Sequence, residues 1–210
     1  MRLSYKTLRG EGAARYEEKR SVFIGAARPA ASEDEAIEFI AEVRQRHKNV
    51  SHHVYAYLCG ESGLQKRCSD AGEPQGTAGV PVLEVIEKSD LTDVAIVVTR
   101  YYGGIKLGAA GLIRAYGKTA SLAVGAAGIV EKSLARRLIF LMEYPLLGIV
   151  RNMLDKSGYA ISHIGYGLDI ELTVIAPYAE ADALCDRVAE LTAGAAVIER
   201  AGYLYIDRID

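Results

Sequence analysis

The chain is poor in cysteine, in uninterrupted apolar sequence and in any excess of one charge, and each shortage removes a class of protein. Three cysteines in 210 residues, Cys59, Cys68 and Cys185, are too few and too scattered for a disulfide framework. A reduced, cytoplasmic setting is the expectation that follows. No apolar run approaches the ~20 residues needed to cross a bilayer. The start, Met1-Arg2-Leu3-Ser4-Tyr5-Lys6, carries charge where an export signal needs an apolar segment. Neither a membrane span nor secretion is expected. Internal repeats and low-complexity segments are also missing.

A net charge of −2 argues against a surface coated in positive charge. The total hides an asymmetry. Residues 1–136 hold 19 Lys and Arg against 16 Asp and Glu, whereas residues 137–210 hold 6 against 11. A polyanion would therefore meet the first half, although its electrostatic footprint is weak.

What remains is a chain with 50% hydrophobic and 25% charged residues, ordinary for a globular protein, and room for one large or two small domains. Arg15 to Ala27 reads as an extended pair, with Ser21 to Ala26 as its second strand. Ser32-Glu33-Asp34-Glu35 is a capping box, and Ala36, Ile37, Ile40 and Val43 follow at helical spacing up to Lys48-Asn49. His53 to Leu58 alternates, predicting a strand with one packed face and one aromatic face. A short helix around Pro81 to Ile86 precedes Val94 to Val98, whose branched, non-alternating sequence predicts a strand buried on both sides. A helix over about 109–124 follows, with Leu112, Ile113, Tyr116 and Ala120 on one face.

The charged stretch Glu131 to Arg137 marks the domain boundary. Beyond it the order is strand, helix from Pro145, hairpin around Gly167, helix from Pro177, and strand to Ile206. That is the ferredoxin-like βαββαβ plan. The fold class expected is α+β, with domains at 1–134 and 135–210.

Two glycine-rich loops carry whatever chemistry the sequence offers. The first is Ser69-Asp70-Ala71-Gly72-Glu73-Pro74-Gln75-Gly76-Thr77-Ala78-Gly79. Asp70 and Glu73 could act as a general base or hold a divalent ion, with backbone N–H groups facing an anion. Alternatively Asp70 caps a turn and Thr77 caps the next helix, and chemistry alone favours this structural role. The second loop, Tyr102-Gly103-Gly104-Ile105-Lys106-Leu107-Gly108, places glycines and a lysine between a buried strand and a helix N-terminus. It lacks the Gly-Lys-Ser/Thr ending of a P-loop and the dinucleotide spacing. Phosphate binding and tight helix–strand packing both account for it. Arg100, Tyr101, Tyr102, Lys106, Arg114 and Lys118 bring cations and rings together, as single-stranded nucleic-acid sites require. Tyr102 and Tyr116 can equally be core rings with their hydroxyls at the rim. His52 and His53 are adjacent on a strand and point to opposite faces, so they do not share an ion. No thiol nucleophile and no Ser–His–acid set can be assembled.

These residues resemble the YigZ/IMPACT family. The resemblance rests on Lys19-Arg20-Ser21-Val22-Phe23-Ile24, Ser51-His52-His53 with Ala56-Tyr57, the first loop through Val80-Pro81, and Val97 through Gly108 to Arg114-Ala115-Tyr116. Two positions depart from the family pattern: Ala71 stands where a second aspartate is usual, and Ala110 where a glycine is usual. Losing that acid weakens a paired-carboxylate metal site at Asp70. The resemblance implies an N-terminal domain like the second domain of a ribosomal protein, a β-sheet covered by helices. A ferredoxin-like domain like that of an elongation factor would follow, as in the bacterial two-domain form.

The function expected is RNA or ribosome association that modulates translation without catalysis. In this reading Arg100, Lys106 and Arg114 contact phosphates and Tyr101 or Tyr102 stacks. Gly103 and Gly104 permit close approach, and Asp70, Glu73 and Thr77 complete the binding set. The rival is a small-molecule enzyme or phosphometabolite-binding protein using both loops as one cleft, and a third reading is a protein adaptor working through the acidic C-terminal half. No cofactor, metal or catalytic residue is assigned.

Overall fold

The computed structural model describes residues 1–48, 50, 52–60 and 65–208. Asn49, expected at the end of the first helix, and Ser51 of the histidine motif lie outside the described residues. The elements in chain order are β1 (Ser4–Leu8), β2 (Gly12–Glu18), β3 (Ser21–Pro29), α1 (Glu33–Arg46), β4 (His52–Cys59), β5 (Gln65–Ser69), α2 (Gly79–Lys88) and β6 (Val94–Tyr101). They continue with α3 (Gly108–Ala127), β7 (Ile129–Met142), α4 (Tyr144–Lys156), β8 (Ile161–Tyr166), β9 (Ile170–Pro177), α5 (Ala181–Leu191) and β10 (Val197–Asp207). They form two compact units, one of residues 5–131 with Met1, the other of residues 132–210 with residues 2–4. No helix among the described residues is long and apolar enough to cross a membrane.

The first unit is an antiparallel sheet in the order β2-β3-β6-β4-β5. Helices α2 and α3 cover one face and α1 the other. Phe23, Ile96, Val98, Leu112 and Tyr116 share the core under α2 and α3, while Phe39, Val43, Tyr57 and Val97 share the core under α1. Val94 to Val98 are fully buried because β6 is the middle strand and its alternate side chains enter two different cores. The aromatic side of β4 is packed too, since Tyr57 is sealed beneath α1. Ile113, expected on the packed face of α3, is exposed.

Ser32 caps α1 by accepting from the Glu35 N–H, and Glu35 turns back to the Ala31 N–H, one residue before the usual capping-box donor. The β2–β3 turn is Lys19-Arg20, both at positive φ (45° and 67°), the conformation that matches strand twist but disfavours side chains other than Gly, Asn or Asp. The sequence therefore holds two cations at a costly hairpin tip.

The second unit has strand order β8-β9-β7-β10, all pairs antiparallel, with α4 and α5 packed on the core side. This is the ferredoxin-like arrangement. The strand expected at Leu138 begins instead at Ile129, and the charged residues 131–137 lie within it because the antiparallel partner β10 extends along them. Pro177 ends β9 rather than opening α5, since an intervening turn separates them.

Candidate nucleic-acid interface

The first loop is built around one carboxylate. Asp70 Oδ2 accepts from the Gly76 N–H at 2.8 Å, and Oδ1 accepts from Ala78 and Gly79 at 3.0 and 2.8 Å. Gly79 opens α2, whose own cap residue, Ala78, has no side chain able to accept. Asp70 thus caps the helix from eight residues upstream. Burial pushes its carboxyl up, but the three N–H donors outweigh this and hold it below its ordinary value. Thr77 does not cap α2; its hydroxyl donates to the Pro74 carbonyl at 2.6 Å.

Ala71 follows at φ 48°, left-handed backbone that costs an alanine about 1–2 kcal/mol. Aspartate tolerates that conformation better, which gives a conformational reason for the residue the family usually carries there. Replacing Ala71 with Gly is expected to raise stability by about 0.5–1 kcal/mol in denaturant titrations, with no change in slope.

Glu73 is the second carboxylate, and it faces inward. Its Oε1 accepts from Arg100 Nη1 at 2.8 Å and from the Tyr116 hydroxyl at 2.7 Å. The side chains of Arg100 and Glu73 are 7% and 5% exposed. Arg100 Nη2 reaches the Ser21 hydroxyl at 3.3 Å, and that oxygen also accepts the Gly103 N–H. The guanidinium lies 5.6 Å from the Phe23 ring and 5.3 Å from Tyr102, within cation–π range. Burial, reinforced by the bond to Glu73, pushes the Tyr116 hydroxyl far above its ordinary value, so it stays a donor. The network ties β3, the first loop, β6 and α3 together.

This placement changes several expected roles. Arg100 is not presented to a phosphate, because its charge is already neutralised and nearly sealed from water. Asp70 and Glu73 do not form a paired acid site, since one caps a helix and the other is locked to Arg100. Tyr101 leaves the opposite face of the sheet from Arg100, and its hydroxyl meets His47 Nδ1 at 2.9 Å. His52 and His53 also part: His52 Nδ1 meets the Ala71 carbonyl and His53 Nδ1 the Thr99 hydroxyl. Burial raises all three cysteine thiols.

The second loop keeps its charge free. Gly103 is required sterically, because a Cβ there would sit 2.1 Å from the carbonyl carbon and oxygen of Arg20. This contact pins the loop to the β2–β3 hairpin tip. Gly104 and Gly108 take φ 81° and 72°, turning the chain from β6 into α3. Tyr102 is 58% exposed. Lys106, Arg114 and Lys118 are exposed, as are Lys19 and Arg20, and none of the five has an ion pair among the described residues. The first turn of α3 has no acidic residue and no side-chain cap. Lys106 thus precedes an open helix N-terminus, with Arg114 and Lys118 further along α3 and Lys19 and Arg20 on the hairpin tip that packs against the loop. Lys19, Arg20 and Ser21 belong to a motif that carries the family resemblance, but their place beside the second loop comes from the fold, through the contact of Gly103 with Arg20 and the bond of its N–H to the Ser21 hydroxyl.

A five-stranded sheet bearing two interlocked glycine-rich loops, joined to a ferredoxin-like unit, defines a class of two-domain α+β protein. Residues 19–124 match the Impact N-terminal domain, and residues 141–195 match a domain of unknown function, DUF1949. The chain is 38% identical over 205 residues to the IMPACT family member YvyE of Bacillus subtilis (strain 168), covering 98% of this chain and 94% of that one. It is 31% identical over 180 residues to the IMPACT family member YigZ of Escherichia coli (strain K12), covering 85% and 88%. A solved structure described as "Crystal structure of an hypothetical protein" matches with a TM-score of 0.64 at 27% identity, over 96% of this chain and 99% of that one. The chain belongs to the IMPACT family.

Proposed function

We propose that this protein binds RNA, free or on a ribosomal surface, and modulates translation without catalysing a reaction. The observation that carries the reading is the division of charge in the first unit. The loop acids Asp70 and Glu73 are consumed by a helix cap and a buried ion pair. Lys19, Arg20, Lys106, Arg114 and Lys118 remain exposed and without an ion pair among the described residues, Lys106 in the same loop as the exposed ring of Tyr102 and Lys19 and Arg20 at the hairpin tip against which Gly103 packs. Free cations beside an exposed ring suit a phosphate backbone with unpaired bases. The two loop carboxylates that could act as a general acid or base are the ones consumed. The translational part of the proposal draws on the resemblance of the first unit to a ribosomal-protein domain.

The test is co-sedimentation with ribosomes, together with fluorescence anisotropy on a labelled single-stranded RNA across a salt series. Lys106→Ala combined with Arg114→Ala is expected to reduce the slope of log affinity against log salt by about 1.4, two phosphate contacts at ~0.7 each. No affinity for RNA or ribosomes at low salt would sink the proposal. A thermal stabilisation by nucleotides or sugar phosphates, absent with RNA, would favour a phosphometabolite site instead.

A further inference from the structure

We propose that the α1 side of the first unit's sheet carries a stacking site for an unpaired base of single-stranded RNA, formed by Tyr55, Arg44 and Arg67. The inference deepens the RNA reading and rests on it, but it concerns the face opposite the second loop's patch. A cleft of about 210 Å³ opens there between α1 and the strands β4 and β5. That is below the ~300–1,000 Å³ of pockets that enclose a whole small ligand, so the cleft takes one flat group with the rest of the ligand outside. Ile37 and Ile40 form one wall. Tyr57 is its buried floor, fixed through its hydroxyl to Glu33. Tyr55 lies parallel to Tyr57, with 5° between ring planes, and is only partly covered.

Charge complements the ring. The Arg44 guanidinium stands 5.9 Å from the Tyr55 ring centroid, is exposed and has no ion pair among the described residues. Arg67 flanks the cleft on β5, 64% exposed, with Glu33 3.8 Å away. Glu33 also accepts from the Tyr57 hydroxyl but keeps its full charge, so Arg67 is partly compensated and Arg44 is the cation of the cleft without an ion pair among the described residues. His53 and His47 continue the strip along the same face toward Tyr101. Burial holds His53 below its ordinary value, and the nearby charge of Arg44 adds to that. A half-buried ring with one guanidinium over it and a second across the cleft, opposite Tyr57, receives a base beside the ring and adjacent phosphates on the arginines. An acidic peptide would satisfy the arginines but leave the ring and the narrow cleft without a partner.

The test uses the full chain and a single-stranded oligouridylate carrying 4-thiouridine, crosslinked by near-ultraviolet light and mapped by mass spectrometry. Crosslinks are expected at Tyr55, absent with a duplex of equal length. Tyr55→Leu, which keeps most of the packing volume, is expected to lower single-strand affinity about 5- to 100-fold while leaving the salt slope unchanged. Arg44→Gln should reduce that slope. Polyglutamate should fail to displace the oligonucleotide at equal charge. Crosslinks confined to Tyr102 would overturn the stacking site and leave the RNA reading standing. Tyr55 crosslinks that persist in Lys106→Ala plus Arg114→Ala would support the stacking site independently of the loop patch. Displacement by polyglutamate as effective as by RNA, or no binding of any oligonucleotide, would overturn it.

Discussion

Glu73→Gln is expected to lower the unfolding free energy by about 3–5 kcal/mol, the cost of stranding a buried charge when its partner is removed. The charge stranded is Arg100, whose Nη1 and Nη2 reach only Glu73 and Ser21 among the described residues, and whose Nε is buried without a partner. Arg100→Met should cost a comparable amount by leaving the Glu73 carboxylate unpaired. The pair of substitutions together should recover much of the loss, because two apolar or neutral groups of similar volume need no compensation. Tyr116→Phe, which removes one donor of the three-residue cluster, should cost about 1 kcal/mol. Urea titrations of the four variants measure all of this. A Glu73→Gln protein as stable as the native one would show that Arg100 finds solvent or another partner. It would also return Glu73 to the list of available acids.

Asp70→Ala is expected to cost about 2–4 kcal/mol, less than three independent charged hydrogen bonds because the donors share one carboxylate. Part of that loss is the removal of a helix cap, since Ala78 and Gly79 are the first orphan N–H groups of α2. The pH dependence gives a second readout. Asp70 is held below its ordinary value of 3.8 in the folded protein, so the unfolded chain takes up its proton first as pH falls. The stability it contributes is fully present above that ordinary value and disappears as pH drops through the depressed folded value. The gap between native and Asp70→Asn proteins should therefore be constant from pH 5 to 7 and shrink below about pH 4. A gap that stays constant down to pH 2 would mean that the three N–H bonds do not favour the ionised form.

The two loops show where sequence reasoning holds and where it stops. From its neighbours alone Asp70 reads as capping a turn, with Thr77 capping the next helix; in the structure the helix cap falls to Asp70, eight residues upstream. Thr77, the nearer candidate, bonds to Pro74 instead. Arg100 reads in sequence as a phosphate contact, and the structure instead buries it against Glu73. Its neighbours Tyr101 and Tyr102 are exposed, its motif is polar, and nothing local shows that Glu73, 27 residues earlier, folds over it. Lys19 and Arg20 stand in a recognisable motif, but nothing local shows their place beside the second loop, which depends on Gly103 bonding to Ser21, 82 residues upstream, and packing against Arg20. The strip at Tyr55 was read as an aromatic face, but the residues that make it basic come from α1 and β5.

Local chemistry by itself determined a good deal of this protein. The Ser32 cap, the doubly buried strand at Val94 to Val98 and the βαββαβ order of the second unit all follow from spacing, branching and turn residues, which act over a few positions. The family follows from the loop motifs in the same way. Which charges are free and which are spent was decided only by the tertiary structure. A carboxylate or guanidinium is available for binding only if no partner has been folded against it, and those partners come from strands and loops far apart in the chain. The polar, glycine-rich stretch from Ser69 to Tyr116 thus separates into a buried lock at Glu73 and Arg100 and an exposed set of cations that includes Lys106 and Arg114.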